Sequence, residues 1–286
     1  MSIQIENASY IYEQGTAMAV TALSEVSAQI REGEFIGLIG HTGSGKSTLV
    51  QLLDGLIRPT SGRILFDGKD INAPDYVKKE LRAQVGLVFQ YPEHQLFEAD
   101  VLTDVMFGPK NLGLSDEDAR LRAQKALEMV GIGPESFEVS PFDLSGGQKR
   151  RAAIAGVLAM EPKYLILDEP TAGLDPEGRD EILEMIAAMR KRTNMAILLV
   201  SHSMEDVARH VERIMVMAGG RLLFDAPPAE VFSHIEELEK VSLAAPQVTY
   251  IMRDLHRAGI PVRTDIFRAE DAAAEIARVF SQRDAV

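Results

Sequence analysis

Short runs of consecutive apolar residues are the clearest pattern in this chain. One run, Phe35–Ile39, is apolar on both faces of the strand that it would form. Such runs are typical of strands in the interior of a parallel sheet, where helices cover both faces. Similar runs recur at Val85–Phe89, Tyr164–Leu167, Ala196–Val200 and Ile214–Met217.

Helical spacing of apolar residues separates most of these runs. Buried strands that alternate with helices predict an α/β sheet. The stretch of about residues 91–160 is mostly helical in pattern, and we expect it to form a separate lobe. The helices predicted along the chain are Lys46–Ile57, Ala119–Val130, Gln148–Ala159 and Pro176–Arg192.

The two ends of the chain differ from this pattern. At the start, apolar residues alternate with polar ones, and a short strand is predicted at Arg63–Gly68. A last short strand at Leu222–Phe224 precedes two prolines, and we place a domain boundary near residue 230. After it we predict mostly helical segments around Ala229–Leu238, Pro246–Ala258 and Ala269–Gln282. Alternating residues of the first strands are Ile3, Ile5, Ala8, Val26, Ala28 and Ile30, and apolar helix positions near the end are Ile251, Leu255, Ile276 and Phe280.

Composition narrows the function classes. The chain has 286 residues, 46% of them hydrophobic, and a formal charge of −13 from 30 Lys and Arg against 43 Asp and Glu. An acidic chain is a poor partner for phosphate backbones, which argues against nucleic-acid binding. The absence of cysteine fits a reducing compartment. No signal peptide and no membrane-spanning segment is evident, so we expect a cytoplasmic protein that reaches a membrane only through partners.

Residues 40–47 match the phosphate-binding pattern G-x-x-x-x-G-K-[ST]. A buried strand precedes them and a helix follows, so backbone N–H groups and the helix N-terminus can bind phosphate oxygens. In this pattern Lys46 reaches the β- and γ-phosphates and Ser47 ligates Mg²⁺. The alternative is a glycine-rich turn with an incidental lysine. The predicted nucleotide-binding residues are Gly40, His41, Thr42, Gly43, Ser44, Gly45, Lys46, Ser47 and Thr48.

Two carboxylates, Asp168 and Glu169, follow the apolar run Tyr164–Leu167. Ligands of open α/β sheets bind at this carboxyl end of the strands. Because successive strand residues point in opposite directions, the two acids can have different roles. Asp168 is predicted to hold the Mg²⁺ shell, and Glu169 to polarise a water for attack on the γ-phosphate. The alternative is an ordinary solvated strand end.

Three further residues are candidates for the same site. Gln90 follows the run Val85–Phe89, and its amide could ligate Mg²⁺ or contact the attacking water. His202 follows Ala196–Val200, and a neutral imidazole there could hydrogen-bond the γ-phosphate. Tyr12 could stack on adenine, with Tyr10 and Tyr91 as alternatives. Taken alone, each of these residues is as easily a structural or surface residue.

Leu144-Ser145-Gly146-Gly147-Gln148 opens a predicted helix and forms a second anion-binding cradle. In this order, between Gln90 and Asp168, the pentapeptide resembles the signature motif of the ATP-binding cassette (ABC) ATPases. The resemblance covers about residues 3–230 and includes residues 172–175 as the D-loop. It implies a P-loop NTPase fold with an antiparallel β subdomain, a parallel RecA-like core, a helical subdomain of about residues 91–160, and a C-terminal helical extension, 231–286.

The family implies a head-to-tail dimer with two ATP molecules at the interface. Each ATP is held by the phosphate loop of one subunit and the signature of the other. On this resemblance Glu169 is the catalytic carboxylate, His202 is the switch histidine and Asp175 couples the two sites. The signature residues Ser145, Gly146, Gly147 and Gln148 would act on the partner's ATP.

A finer resemblance is carried by residues 90–97, 107–111, 151–160 and 171–176. They look like the ATPases of energy-coupling factor (ECF) transporters, and within that group the chain is most similar to the second, A′ type. This implies an A-type ATPase partner, a transmembrane T component and an S component that binds a vitamin or other micronutrient. It also implies a place at the cytoplasmic face of the cell membrane and a dimerisation role for the C-terminal helices.

Three other functions remain open from sequence. The chain could serve another class of ABC transporter, although residues 90–97 argue against it. A soluble ABC ATPase of DNA repair or translation is disfavoured, because the chain has one cassette, no coiled-coil insertion and no basic stripe. A non-hydrolysing regulatory module is disfavoured by the intact Glu169 and His202.

Overall fold

The computed structural model describes residues 2–283 and contains two sheets. The order of strands is β2-β1-β4-β5 in the four-stranded sheet and β10-β9-β3-β8-β7-β6 in the six-stranded sheet. The strands are β1 (Ser2–Tyr12), β2 (Val20–Arg31), β3 (Phe35–Ile39), β4 (Ser61–Phe66), β5 (Lys69–Asp70), β6 (Val85–Val88), β7 (Tyr164–Asp168), β8 (Ala196–Val200), β9 (Arg213–Ala218) and β10 (Arg221–Ala226).

The four-stranded sheet is antiparallel throughout. Ile5 and Ala8 are both buried although three positions separate them. The pairing of β1 with β2 shifts register between these residues, and Asn7 lies in the left-handed region with φ 46°. A bulge therefore returns Ala8 to the buried face, which explains the irregular spacing of the apolar residues in the sequence.

The six-stranded sheet is parallel from β9 to β6, and β10 pairs antiparallel at its edge. All five residues of β3 are buried, as the sequence predicted for a central strand. Alternate residues of the parallel strands enter two different hydrophobic cores, one on each face of the sheet. Strands β3, β6, β7 and β8 bring their carboxyl ends to one edge, where the candidate site residues follow.

Helices cover both faces of this sheet. Helix α6 has the predicted bounds, whereas α1 ends at Leu53 and not at Ile57, because Gly55 adopts φ 68°. The helices are α1 (Lys46–Leu53), α2 (Lys78–Gln84), α3 (Val101–Leu112), α4 (Asp116–Met129), α5 (Gly146–Leu158), α6 (Pro176–Arg192), α7 (Met204–His210), α8 (Pro228–Val231), α9 (Ile235–Lys240), α10 (Gln247–Arg257) and α11 (Ala269–Arg283).

Three helices, α3, α4 and α5, occupy most of residues 91–160 and pack on one another. Ala123, Leu127 and Ile154 are buried between them. They share one hydrophobic core with residues of the sheet such as Leu165 and Ile197. The mostly helical character predicted for this stretch is confirmed, while its independence as a subdomain stays a prediction.

The C-terminal segment is mostly helical, as predicted. Two short helices, α8 and α9, occupy the stretch expected around Ala229–Leu238, and residues 232–234 separate them. Of the apolar positions expected on the last two helices, Leu255 and Ile276 pack against the small core of these helices. Ile251 is 53% and Phe280 is 45% exposed, while Met252 and Val279 are buried instead.

Two different cores hold this segment. Val231, Phe232 and Leu238 belong to the core that contains the helices of residues 91–160. A small separate cluster holds α10 and α11 together and consists of Met252, Val262, Ile266, Ala272 and Val279.

Candidate functional site

The phosphate loop connects the end of β3 to the start of α1. Gly40 is buried, and a Cβ there would lie 2.4 Å from the Ser44 hydroxyl oxygen and 2.5 Å from the Met217 carbonyl. Gly45 precedes the helix with φ 102°, and its Cβ would lie 2.6 Å from the Ala22 carbonyl. Glycine is therefore required at both positions, and the loop curls tightly around its own centre.

Lys46 points into the centre of this loop. Its Nζ donates hydrogen bonds to the carbonyls of Gly40 at 2.6 Å and His41 at 3.2 Å. Burial lowers the pKa of Lys46, and the charges of Glu169 and Asp168 act in the opposite direction. The buried Ser44 hydroxyl has no hydrogen-bond partner in the part of the chain that is described. An unpaired hydroxyl beside a buried ammonium fits a phosphate oxygen, which accepts hydrogen bonds from both.

Asp168 ends β7, beside Val200 of β8. Burial raises the pKa of Asp168, and so does the neighbouring charge of Glu169, while Lys46 and His202 lower it. Burial is the larger cause, so the ionised carboxylate of Asp168 is poorly solvated, and a bound cation would stabilise it.

Glu169 is held on both oxygens of its carboxylate. The Gln90 amide nitrogen donates to Oε2 at 3.0 Å, and His202 Nε2 lies 2.5 Å from Oε1. The backbone at Glu169 has φ 51°, in the left-handed region, and its N–H donates to the Val200 carbonyl at 3.1 Å. Residues that follow three neighbouring strands thus fix one carboxylate, which is the arrangement that a general base needs.

Tyr12 is tied to the start of α1. Its hydroxyl lies 3.2 Å from the Thr48 hydroxyl, and its ring meets Tyr10 edge-on at 4.8 Å. The side chain is 40% exposed, so the ring remains accessible for stacking. Tyr91, the other alternative, instead stacks on His94 at 5.9 Å.

The signature residues form the N-terminus of α5. The Ser145 hydroxyl accepts from the Gln148 N–H at 3.3 Å, and the Gln148 side chain accepts from the Ser145 N–H at 3.0 Å. This capping box uses the two polar side chains, while Ser145 and Gly146 remain exposed. Asp175 caps α6 by accepting from the Gly178 N–H at 3.0 Å and is also exposed. Within residues 2–283, no hydrogen bond joins the signature residues to the phosphate loop.

Comparison with known proteins agrees with this geometry. Residues 23–172 match the family of ABC transporters. The chain is 53% identical to an energy-coupling factor transporter ATP-binding protein, EcfA2, of Clostridium tetani, over 99% of both chains. It is 52% identical to EcfA2 of Clostridium perfringens, over 97% of this chain and 99% of that protein.

The chain belongs to the ATP-binding proteins of energy-coupling factor transporters. It is therefore an ABC ATPase, which binds and hydrolyses ATP. Among solved structures, it resembles cbiO1 of Clostridium perfringens, which is described as part of the ABC transporter complex cbiONQ. The TM-score is 0.74 and the identity is 41%, over 88% of this chain and 98% of that chain. A dimeric ABC cassette, MJ0796, bound to ADP and Pi, matches with a TM-score of 0.69 and 28% identity, over 79% of this chain and 98% of that chain.

Two findings bear on the environment of this ATPase. No helix among residues 2–283 has the length and apolar character that a membrane span requires. No group of three or more His, Asp or Glu side chains with metal-binding geometry occurs in the same residues. Magnesium in nucleotide sites is usually held by one or two carboxylates together with phosphate oxygens, and Asp168 with the exposed Ser47 hydroxyl fits that role.

Sequence reasoning missed how the C-terminal segment borders the ATPase site. A cavity of about 460 Å³ lies beside the phosphate loop, lined by His41 and His202 and by residues 242–245 and Gln247. The Gln247 N–H donates to the Glu205 carboxylate at 3.3 Å, which ties α10 to the helix that follows His202. No motif in residues 242–247 signals this contact.

Proposed function

We propose that this chain powers an ECF-type importer of vitamins or other micronutrients. It acts at the cytoplasmic face of the cell membrane and binds a transmembrane T component, which carries a substrate-binding S component. The names of its relatives support the transporter class, and the printed description of cbiO1 as part of a complex supports an assembly with further subunits.

In this proposal the ATPase works as a dimer with an A-type subunit. Lys46, the loop amides and the Ser44 hydroxyl hold the phosphates of one ATP, and Tyr12 stacks on its adenine. Ser145, Gly146, Gly147 and Gln148 contact the partner's ATP, and Asp175 couples the two sites. The exposure of Ser145 and Gly146 supports a role outside their own subunit.

Magnesium would be held by Ser47, Asp168 and the Gln90 amide oxygen, and it would supply charge neutralisation on the phosphates. The Gln90 nitrogen donates to Glu169, which leaves its amide oxygen as the ligand atom. Asp168 would then contact the metal, and Glu169, the next residue, would contact the attacking water.

The fixed carboxylate of Glu169 is the observation that carries the hydrolytic mechanism. With Gln90 on one oxygen and His202 on the other, Glu169 can accept a proton from water only in a defined direction. In this proposal His202 hydrogen-bonds the γ-phosphate when ATP is bound. The ammonium of Lys46 and the loop amides stabilise the charge that develops on the transferred phosphoryl group.

A groove between β6, α3 and α5 is the proposed docking site for a helix of the T component. It encloses about 740 Å³ and is lined by Phe89, Phe97 and Phe107, which are 38%, 56% and 46% exposed. Exposed aromatic side chains around one concave surface are typical of a protein interface. The groove begins at Phe89, next to Gln90. A helix bound there would therefore contact the segment around Gln90, whose amide donates to Glu169.

Glu169→Gln in the assembled transporter tests the hydrolytic assignment. Glutamine keeps the size of the side chain but is no base, so ATP binding should persist while turnover at this site falls about 100-fold or more. Glu177→Gln is a matched control, since Glu177 is an exposed acid in the first turn of α6. Unchanged hydrolysis at this site in Glu169→Gln would refute the assignment.

Isolation of the chain from detergent-solubilised membranes tests the partners. We expect a second ATPase and a membrane protein to be recovered with it, and Phe107→Asp to release the membrane protein while the second ATPase stays bound. Recovery of DNA, ribosomes or a lone dimer would contradict the transporter proposal.

A further inference from the structure

Arg150 is a buried arginine on the signature helix α5. Its side chain is 2% exposed, and it lies five residues after Ser145 in the sequence. Arginine is almost never fully buried unless it is paired, because its charge loses the solvation of water. The groups that compensate Arg150 therefore indicate what this position is for.

Four hydrogen bonds surround the guanidinium. Nε and Nη2 donate to the two carboxylate oxygens of Glu93, at 3.0 Å and 2.6 Å. Nη1 donates to the carbonyls of Pro170 at 3.1 Å and Ala172 at 2.8 Å. Burial raises the pKa of Glu93, but the hydrogen bond from Arg150, a backbone hydrogen bond and the charges of Arg150 and His94 together hold it below its ordinary value. The pair is thus bidentate, with Arg150 buried and Glu93 partly exposed.

The partners of Arg150 adjoin the residues that hold the catalytic carboxylate. Glu93 follows Gln90 by three positions, in the short turn that leaves β6. Pro170 directly follows Glu169, and the Ala172 N–H donates to the Glu169 carbonyl at 3.1 Å. One side chain therefore connects the helix of the signature motif to both segments that position Glu169.

We propose that Arg150 is a positioning residue that links the signature motif to the orientation of Glu169 in the same subunit. The inference rests on the proposed function, in which Ser145 and its neighbours contact the partner's ATP. A displacement of α5 on that contact is transmitted by the guanidinium to Glu93 and to the carbonyls beside Glu169. The signature of one site would in this way set the catalytic geometry of the other.

Arg150→Lys in the assembled transporter tests the proposal. Lysine keeps the charge but lacks the planar fork, so it cannot bridge a carboxylate and two carbonyls together. We expect kcat for ATP hydrolysis to fall about 10- to 100-fold, because small displacements of catalytic groups have effects of this size. The Kd for ATP should stay within about twofold, since no phosphate-binding residue changes.

Arg151→Lys is the matched control. Arg151 is the next residue on α5 and is partly exposed. Its side chain lies 3.6 Å from Glu181, which is not a partner of Arg150. We expect its kcat to remain near that of the wild-type complex. Glu93→Gln keeps the shape of the acceptor and removes its charge, so it should lower kcat in the same direction. The double variant Arg150→Lys/Glu93→Gln should lose less than the product of the single effects.

The outcomes separate this inference from the proposed function. A wild-type complex without ATP turnover, or one insensitive to Glu169→Gln, would refute the proposed function. A wild-type complex that depends on Glu169 but tolerates Arg150→Lys with unchanged kcat would refute only the inference. Equal losses of kcat and ATP affinity would also refute it, because they indicate a general structural role. If Arg150→Lys does not assemble, Glu93→Gln decides by the same criteria.

Discussion

Asp54 gives a quantitative prediction of stability against pH. It lies at the C-terminal end of α1 and lines the groove beside Phe107. Burial raises the pKa of Asp54 to about 6 from 3.8, even though Arg82 and Lys78 favour its charged form. The negative end of the helix dipole also disfavours a carboxylate at this position.

The sign and size of the effect follow from this pKa. Because the folded state binds the proton more tightly, ionisation of Asp54 costs stability that is absent below about pH 4 and complete above about pH 6. A shift of roughly two units corresponds to about 3 kcal/mol, and we expect about 1–3 kcal/mol because part of the side chain contacts water. Asp54→Asn removes this cost without changing the shape of the side chain.

Urea unfolding of the purified chain at several pH values measures the effect. Asp54→Asn should be more stable than wild type at pH 7.5, and the difference should disappear as the pH is lowered towards 4. Asp75→Asn is the control, because Asp75 is exposed and its replacement should change little at any of these pH values. A variant that is no more stable than wild type at pH 7.5, or a difference that does not depend on pH, would refute the reasoning.

Two further predictions concern nucleotide binding and packing. Tyr12→Phe should keep the affinity for ATP in equilibrium titration, whereas Tyr12→Ala should lose about 1–3 kcal/mol through the absent stacking surface; equal losses would show that the hydroxyl bond to Thr48 matters and the ring does not. Gly37→Ala should destabilise the chain by about 1–3 kcal/mol in urea, because its Cβ would lie 2.7 Å from the Val207 side chain. Val207→Ala should recover part of that loss, and failure of this rescue would contradict the proposed clash.

The central sheet was predictable because a strand that is buried on both faces is apolar at every position. Phe35–Ile39 has no polar residue, and a five-residue apolar run is too short for a helix of a core. Helix α7 was missed, since seven residues give too few turns for a period to emerge. Helix α3 was missed as well, because Pro109 and Gly108 interrupt its pattern, although both lie inside the helix.

The sequence was enough to predict which residues of the candidate site lie at the same edge of the sheet. Gln90, Glu169 and His202 each follow a strand, and the carboxyl ends of parallel strands meet. The contacts between these side chains could not be predicted, because they depend on the order of β6, β7 and β8 and on the left-handed backbone at Glu169. Arg150 was not predictable, because an arginine in a helix normally faces solvent and only the fold brings Glu93 to it.

The two cores of the C-terminal segment have a consequence for how the chain can be divided. Residues 231–245 contribute Phe232, Leu238 and Leu243 to the same core as the sheet, whereas α10 and α11 close a small core of their own. A recombinant fragment that stops at residue 230 would lack side chains that complete the ATPase interior, and one that stops at residue 245 would retain them. Residues 246–283 still contact the ATPase, because Tyr250 and Phe267 pack against the larger core and the Gln247 N–H donates to Glu205, so an exchange of this segment between homologues would have to preserve those contacts.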